Sequence, residues 1–155
     1  MIEIVVYGIA QPAGSKTAGR TSNGRLFVRD SAKGSAAWKR AVAQVAGAEM
    51  AGRHLLDGPL ALEAAFHLPR PKGHYGARGL RPSAPDFPTV KPDTTKLLRA
   101  VEDALTGIVY RDDAQIVRQH VTKDYAGGGP VRVEIRISSV RQAHLLEQVL
   151  EREEV

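Results

Sequence analysis

Between residues 69 and 92 the chain carries six of its nine prolines, interleaved with Gly73, Gly76 and Gly79. Proline removes a backbone donor and clashes with the preceding turn, so no regular element is expected in this segment. A connection this long inside a compact domain is usually functional or mobile. The chain has 155 residues in all, which suits a single domain, so the regular elements on either side are read as one body.

On the N-terminal side, Ile2–Tyr7 is β-rich and reads as a strand, whereas residues 8–22 read as loop. Asn23-Gly24 is a tight-turn signal, and Arg25-Leu26-Phe27-Val28 reads as a short strand leaving it. Ser35 is placed to cap a helix that runs to about Gly52, with Trp38, Val42, Val45 and Met50 on its apolar side. Leu60–Leu68 is a further strand. Beyond the proline-rich stretch, Leu97, Val101 and Leu105 recur at i, i+4 and i+8 behind Asp93, and Gly107 stops that helix. Residues 116–121 alternate as a strand, Gly127-Gly128-Gly129-Pro130 turns the chain, and residues 131–137 alternate strictly. Residues 145–149 read as an amphipathic helix ending in an acidic tail. This order predicts an α+β fold: a mixed sheet with helices mainly on one face over residues 1–140, and a C-terminal helix and tail over 141–155.

Hydrophobic residues make up 43% and charged residues 25%, ordinary for a soluble domain. With no cysteine, disulfides and thiolate metal sites are excluded. The N-terminal apolar run lacks a basic leader and a cleavage site, and no apolar stretch is long enough to span a bilayer, so a cytoplasmic location is expected. The net charge of +5 is unevenly spread. Residues 16–40 hold Lys16, Arg20, Arg25, Arg29, Lys33, Lys39 and Arg40 against Asp30 alone. Residues 70–91 hold Arg70, Lys72, Arg78, Arg81 and Lys91 against Asp86 alone. Segments of this kind suit a polyanion, because each neutralised phosphate releases counterions. They also suit an ordinary solvated surface, and charge alone does not decide between the two.

Carboxylates gather at two points flanking one helix: Asp93 at its start, and Asp112-Asp113 after the turn that follows it. A helix over 94–106 is about 20 Å long at about 1.5 Å per residue. If the following strand runs back antiparallel to it, Asp113 begins near the helix end and meets Asp93 only through sheet twist or a symmetry mate. Asp93 also serves as an N-cap, and Asp112-Asp113 as a simple turn, so periodicity leaves metal binding and plain structure both open. His54, His67, His74, His120 and His144 fall at no metal-ligand spacing, and Trp38 reads as helix core.

One block is more specific. Pro92-Asp93-Thr94-Thr95-Lys96-Leu97, then Arg99, Asp103-Ala104-Leu105-Thr106-Gly107 and Asp112-Asp113-Ala114-Gln115-Ile116 resemble the signature of the RusA-type Holliday-junction resolvases. His67-Leu68-Pro69-Arg70-Pro71-Lys72 and the opening Gly8-Ile9-Ala10-Gln11-Pro12 with Lys16 are similar to further parts of that family. The resemblance implies a homodimeric, Mg²⁺-dependent endodeoxyribonuclease, with Mn²⁺ a possible substitute, that binds four-way DNA junctions and nicks two strands. By position, Asp93 and Asp113 match its catalytic aspartates, Arg99 stands where the family often has a catalytic lysine, and Asp93, Asp113 and Asp112 are the candidate metal carboxylates. Lys16, Arg20, Arg70, Lys72, Arg78, Arg81, Lys91, Lys96 and Lys123 are the candidate DNA contacts. In this sequence Thr95 stands where the family has a second aspartate, and a hydroxyl is a poor ligand for a hard divalent cation. Asp103, two turns further along the Thr95 face, is about 12 Å away by helix rise, too far to replace it directly. A non-catalytic junction-binding dimer of the same family is therefore the alternative expectation.

Overall fold

The computed structural model describes residues 1–14, 16–30 and 33–141. In chain order the elements are β1 (Ile2–Tyr7), β2 (Lys16–Arg20), β3 (Leu26–Asp30), α1 (Ser35–Glu49) and β4 (Leu60–Leu68). They continue with the two-residue strands β5 (Tyr75–Gly76) and β6 (Gly79–Leu80), then α2 (Thr94–Leu105), β7 (Ile116–Tyr125) and β8 (Arg132–Ser139).

β1, β8, β4 and β7 form the central sheet in that spatial order. β4 and β7 run parallel while the other neighbours are antiparallel, so the sheet is mixed. A parallel pair needs a crossover, and the proline-rich loop with α2 supplies it. Period-two alternation puts Ile2, Ile4 and Val6 of β1, Leu62 and Phe66 of β4, and Val133, Ile135 and Ile137 of β8 into one core. Trp38, Val42 and Ala46 of α1 and Leu97, Val101 and Leu105 of α2 close over the same face. Leu97 is fully buried, a contribution of about 1.5–3 kcal/mol for a side chain of its size. The opposite sheet face is polar, with Arg136 bridging Glu3 at 3.1 Å and Glu63 at 3.4 Å. The expected α+β fold with helices on one face is what the chain adopts.

Several local expectations change. Residues 8–22 are not all loop, because Lys16–Arg20 pairs antiparallel with β3 from Lys16↔Asp30 to Arg20↔Leu26. The segment Lys-Thr-Ala-Gly-Arg has almost no apolar alternation, so pairing along the hairpin, not burial, makes it a strand. Gly24 takes φ 81° in the connecting turn, as Asn23-Gly24 predicts. The N-cap of α1 is Gly34 at φ 82°, and Ser35 is a buried first-turn residue rather than the cap. The strand expected over 116–121 extends to Tyr125 beside β4. Residues 145–149, expected to be helical, lie outside the described residues.

Within the proline-rich connection, where no regular element is expected, β5 and β6 pair over two residues each, Tyr75↔Leu80 and Gly76↔Gly79, and side chains order the rest. Lys123 Nζ, from β7, donates to the carbonyls of Val90 at 2.7 Å and Pro92 at 3.0 Å. Arg70 Nη1 donates to Pro85 O at 2.7 Å, and its guanidinium lies over the Tyr125 ring at 4.1 Å. His74 meets the same ring edge-on at 5.6 Å. The loop is thereby tied at both ends to the last residues of β7.

Candidate functional site

Asp93 occupies the N-cap position of α2 in an extended conformation, and its backbone carbonyl accepts from Leu97 N at 3.1 Å. Its carboxylate makes no capping hydrogen bond. The side chain is 56% exposed, and Lys96 Nζ, one turn along, stands 3.8 Å from it. An N-cap aspartate ordinarily spends its oxygens on the first turn of the helix. Here they face solvent beside a cation.

Asp112 and Asp113 are adjacent in sequence and opposite in use. Asp112 Oδ1 accepts from Ala114 N at 2.8 Å, and Gln115 Oε1 accepts in return from Asp112 N at 3.1 Å, a reciprocal cap on a short 3-10 turn. Gln115 Nε2 also donates to the carbonyls of Leu56 and Gly58, each at 3.1 Å, which ties the turn to the strand side of the body. Asp112 is therefore held as a turn former. Asp113, the first residue of that turn, is exposed; its backbone carbonyl accepts from Ile116 N, and among the described residues its carboxylate forms no hydrogen bond or ion pair.

The segment carrying Asp113 is folded back on the last turn of α2. Gly107 at φ 81° ends the helix, and the buried Tyr110 donates its Oη to Glu102 O at 3.1 Å. Burial is the main force raising the Glu102 carboxyl above its ordinary range, with the charges of Asp113 and Asp103 adding to it; a hydrogen bond from Gln119 opposes it. Burial first, and then the Glu102 charge, push the Tyr110 phenol up. Asp113 thus acts electrostatically on the C-terminal end of α2, whereas Asp93 sits at its N-terminal end. Twelve helical residues separate those ends, about 18 Å at about 1.5 Å per residue. Among the described residues no three His, Cys, Asp or Glu side chains converge on a common point. One chain presents the expected carboxylates without bringing them together.

The remaining expected residues sort by what they touch. Arg99 is exposed on α2, and its Nη2 donates to Gly14 O at 3.4 Å. Ala13 N bonds Lys96 O at 2.9 Å, so the stem of the β2–β3 hairpin runs along the N-terminal half of α2. Asp103 pairs with Lys39 of α1 at 3.0 Å and joins the two helices. Arg70 and Lys123 hold the proline-rich loop, and Arg81 Nε donates to Tyr75 O at 3.2 Å within it. Arg20, Lys72, Arg78 and Lys91 are exposed, and the side chain of Lys16 lies outside the described part. Sequence reasoning missed Glu102, Gln119 and Tyr110, because nothing in an ordinary helical glutamate signals that a strand glutamine and a turn tyrosine will pack against it.

The geometry defines a small α+β domain with two exposed aspartates whose carboxylates make no hydrogen bond, one beside a basic loop and one on a fixed turn. A family profile described as endodeoxyribonuclease RusA matches residues 10–138, and the chain belongs to that family. The chain is also 33% identical over 138 residues to an uncharacterized Bacillus subtilis (strain 168) protein, YqaN, covering 87% of this chain and 95% of that one. Among the described residues no helix is long and apolar enough to cross a membrane.

Proposed function

We propose that the chain is a divalent-metal-dependent endonuclease that nicks four-way DNA junctions as a two-fold dimer, each metal held between Asp93 of one protomer and Asp113 of the other. The observation that carries this reading is the separation of two exposed carboxylates, neither spent on a hydrogen bond, by the length of α2. Both are hard, exposed oxygen donors of the kind Mg²⁺ or Mn²⁺ accepts while keeping several waters. A single chain offers one donor at each end, so each chain supplies two half-sites.

A two-fold axis repairs this. β7 is an edge strand of the sheet, with Val117 60% exposed near its start. Asp113 begins the short turn that leads into β7, and Lys123 near the end of β7 holds the Pro92 carbonyl next to Asp93. Two copies of the α2–β7 unit set antiparallel bring the Asp113 end of one against the Asp93 end of the other, twice. A four-way junction has the same symmetry, which suits paired nicks.

In this assembly a bound metal would activate water and stabilise charge on the scissile phosphate. The chain's own residues do the rest. Arg99, two turns into α2 from Asp93, places a permanent positive charge where negative charge grows on the phosphate. Lys96 lowers phosphate repulsion at Asp93 but also competes with the cation for that carboxylate. Arg20, Lys72, Arg78 and Lys91 present the exposed charge that holds the DNA backbone. Lys123, Arg70 and Arg81 contribute by fixing the loop that carries Lys72, Arg78 and Lys91.

Mixing two inactive variants tests the composite site. Asp93→Asn and Asp113→Asn chains should each fail to cut a synthetic four-way junction in Mg²⁺ or Mn²⁺. In a mixed dimer one site receives both substitutions and the other receives neither. Nicking of a single strand should then return on mixing. Two inactive variants that stay inactive together, despite exchanging subunits, would overturn the shared site; cleavage kept by both variants alone would overturn the assignment of the aspartates. A native chain that binds junctions and cuts none in either metal is the result expected of a purely structural junction binder.

A further inference from the structure

Immediately N-terminal to Asp93 lies a groove of about 180 Å³, walled by Ile9, Pro69, Pro88, Val90 and Tyr125, with Lys91 on its lining. Its rim is unusually apolar for a basic surface: Ile9 is 54% exposed and Val90 63%, and nearby Phe87 is 63% exposed. Exposed apolar side chains grouped around a concavity offer a surface on which an apolar group can be seated. The groove is also formed in advance. Lys123 fixes the carbonyls of Val90 and Pro92, and Arg70 holds Pro85 while lying over one face of the Tyr125 ring. A site braced this way pays little ordering cost when it is filled.

We infer that this groove accepts one nucleobase displaced from its pair at the branch point of the DNA. The inference rests on the junction-binding reading above and adds to it a recognition site for a base. Three observations select this occupant. The volume is too small for a helix, which is about 10 Å across with its side chains. Lys91 on the lining and Arg70 behind Tyr125 favour a partner that is flat and apolar on its faces and anionic along its backbone. Finally, Pro92 lines the groove and precedes Asp93, so the backbone of a nucleotide seated here lies beside that exposed carboxylate and its Lys96 partner.

Bases at a branch are the cheapest to unstack, because they lack a full set of stacked neighbours, and a displaced base is held by stacking against aromatic and apolar side chains. The walls offer prolines, aliphatic carbons and a ring, so the groove reads the face of a base rather than its hydrogen-bonding edge. Recognition is therefore of branch structure, with little discrimination among bases. Seating the base fixes which phosphate lies over Asp93.

The test is a binding cycle in EDTA, where no cleavage occurs. Junctions carrying an abasic residue at each branch-point position in turn are compared with the intact junction, using the native chain and an Ile9→Ser/Val90→Ser variant. Both substitutions fall on exposed positions, and a thermal melt confirms that the variant is folded. The native chain should bind the intact junction about tenfold more tightly than the junction abasic at one position, about 1.4 kcal/mol of coupling. The variant should bind both at the weaker affinity. Equal native affinity for the intact junction and every abasic junction overturns the base site. So does a variant that keeps the native preference. A native chain that prefers no junction over linear duplex overturns the junction reading itself, and the base site with it.

Discussion

The two ends of α2 carry the same chemical group in opposite circumstances. At the C-terminal end the polar side chains are largely committed to one another: Asp112 caps its turn, Gln115 bonds two carbonyls, Gln119 meets Glu102, and Tyr110 bonds the Glu102 backbone. That network fixes the turn and leaves Asp113 projecting from it. At the N-terminal end the fixing is done by cations on backbone carbonyls, through Lys123 and Arg70, and Asp93 is left beside Lys96. A carboxylate is available for chemistry when the structure holds its backbone without using its oxygens. The comparison also separates two neighbours that composition treats alike, Asp112 as scaffold and Asp113 as candidate ligand.

The largest expected effect exploits that pair. Asp113→Asn should lower junction cleavage by about a hundredfold or more, given that even outer-shell partners of a metal are worth about 10–100-fold. Asp112→Asn keeps an acceptor for Ala114 N and should leave the rate within a few-fold. Single-turnover cleavage at saturating metal measures both. Equal losses would erase the distinction between the two ends of the turn.

A smaller effect is expected at Thr95, which is exposed on the first turn of α2 two residues beyond Asp93. Thr95→Asp adds a hard ligand and offsets the Lys96 charge, so the Mg²⁺ concentration for half-maximal cleavage should fall. Mn²⁺, which binds a given oxygen or nitrogen site more tightly, should need less help from the substitution than Mg²⁺ does. A titration of each metal against initial rate measures the shift. An unchanged requirement for both would place Thr95 outside the metal's surroundings.

The smallest effect concerns stability at the committed end. Because burial, Asp113 and Asp103 raise the folded pKa of Glu102, the folded state holds that proton more tightly than the unfolded state. Its ionisation therefore costs stability as pH rises from the ordinary carboxylate range through the raised value. Glu102→Gln keeps an acceptor for Gln119 and removes the cost. Urea denaturation should show the variant gaining on the native chain at neutral pH and not at pH 4. A gain of the same size at both would assign it to packing instead of charge.

Much of this architecture is legible in the primary structure for plain reasons. Alternation in residues 131–137 and the i, i+4, i+8 spacing of Leu97, Val101 and Leu105 report burial directly, and both elements form where expected. Lys16–Arg20 was not legible, since a strand stabilised by its hairpin partner need not carry an apolar face. The aspartates were legible as residues worth singling out. Their uses were not: an N-cap position at Asp93 does not say that the side chain declines to cap, and the Asp112-Asp113 pair does not say which member bonds Ala114.

What the sequence determined by itself is the set of local choices: a proline-rich break, two amphipathic helices, alternating strands, and acidic groups on either side of one helix. These follow from backbone geometry and burial within a few residues, so a linear reading reaches them. The tertiary structure alone decided distances and commitments. It set Asp93 and Asp113 at opposite ends of α2, turned Lys123 inward onto the carbonyls of Val90 and Pro92, and opened a braced apolar groove beside Asp93. Such facts depend on which side chains meet across tens of residues, and on lone pairs already spent there, neither of which is written in the spacing along the chain.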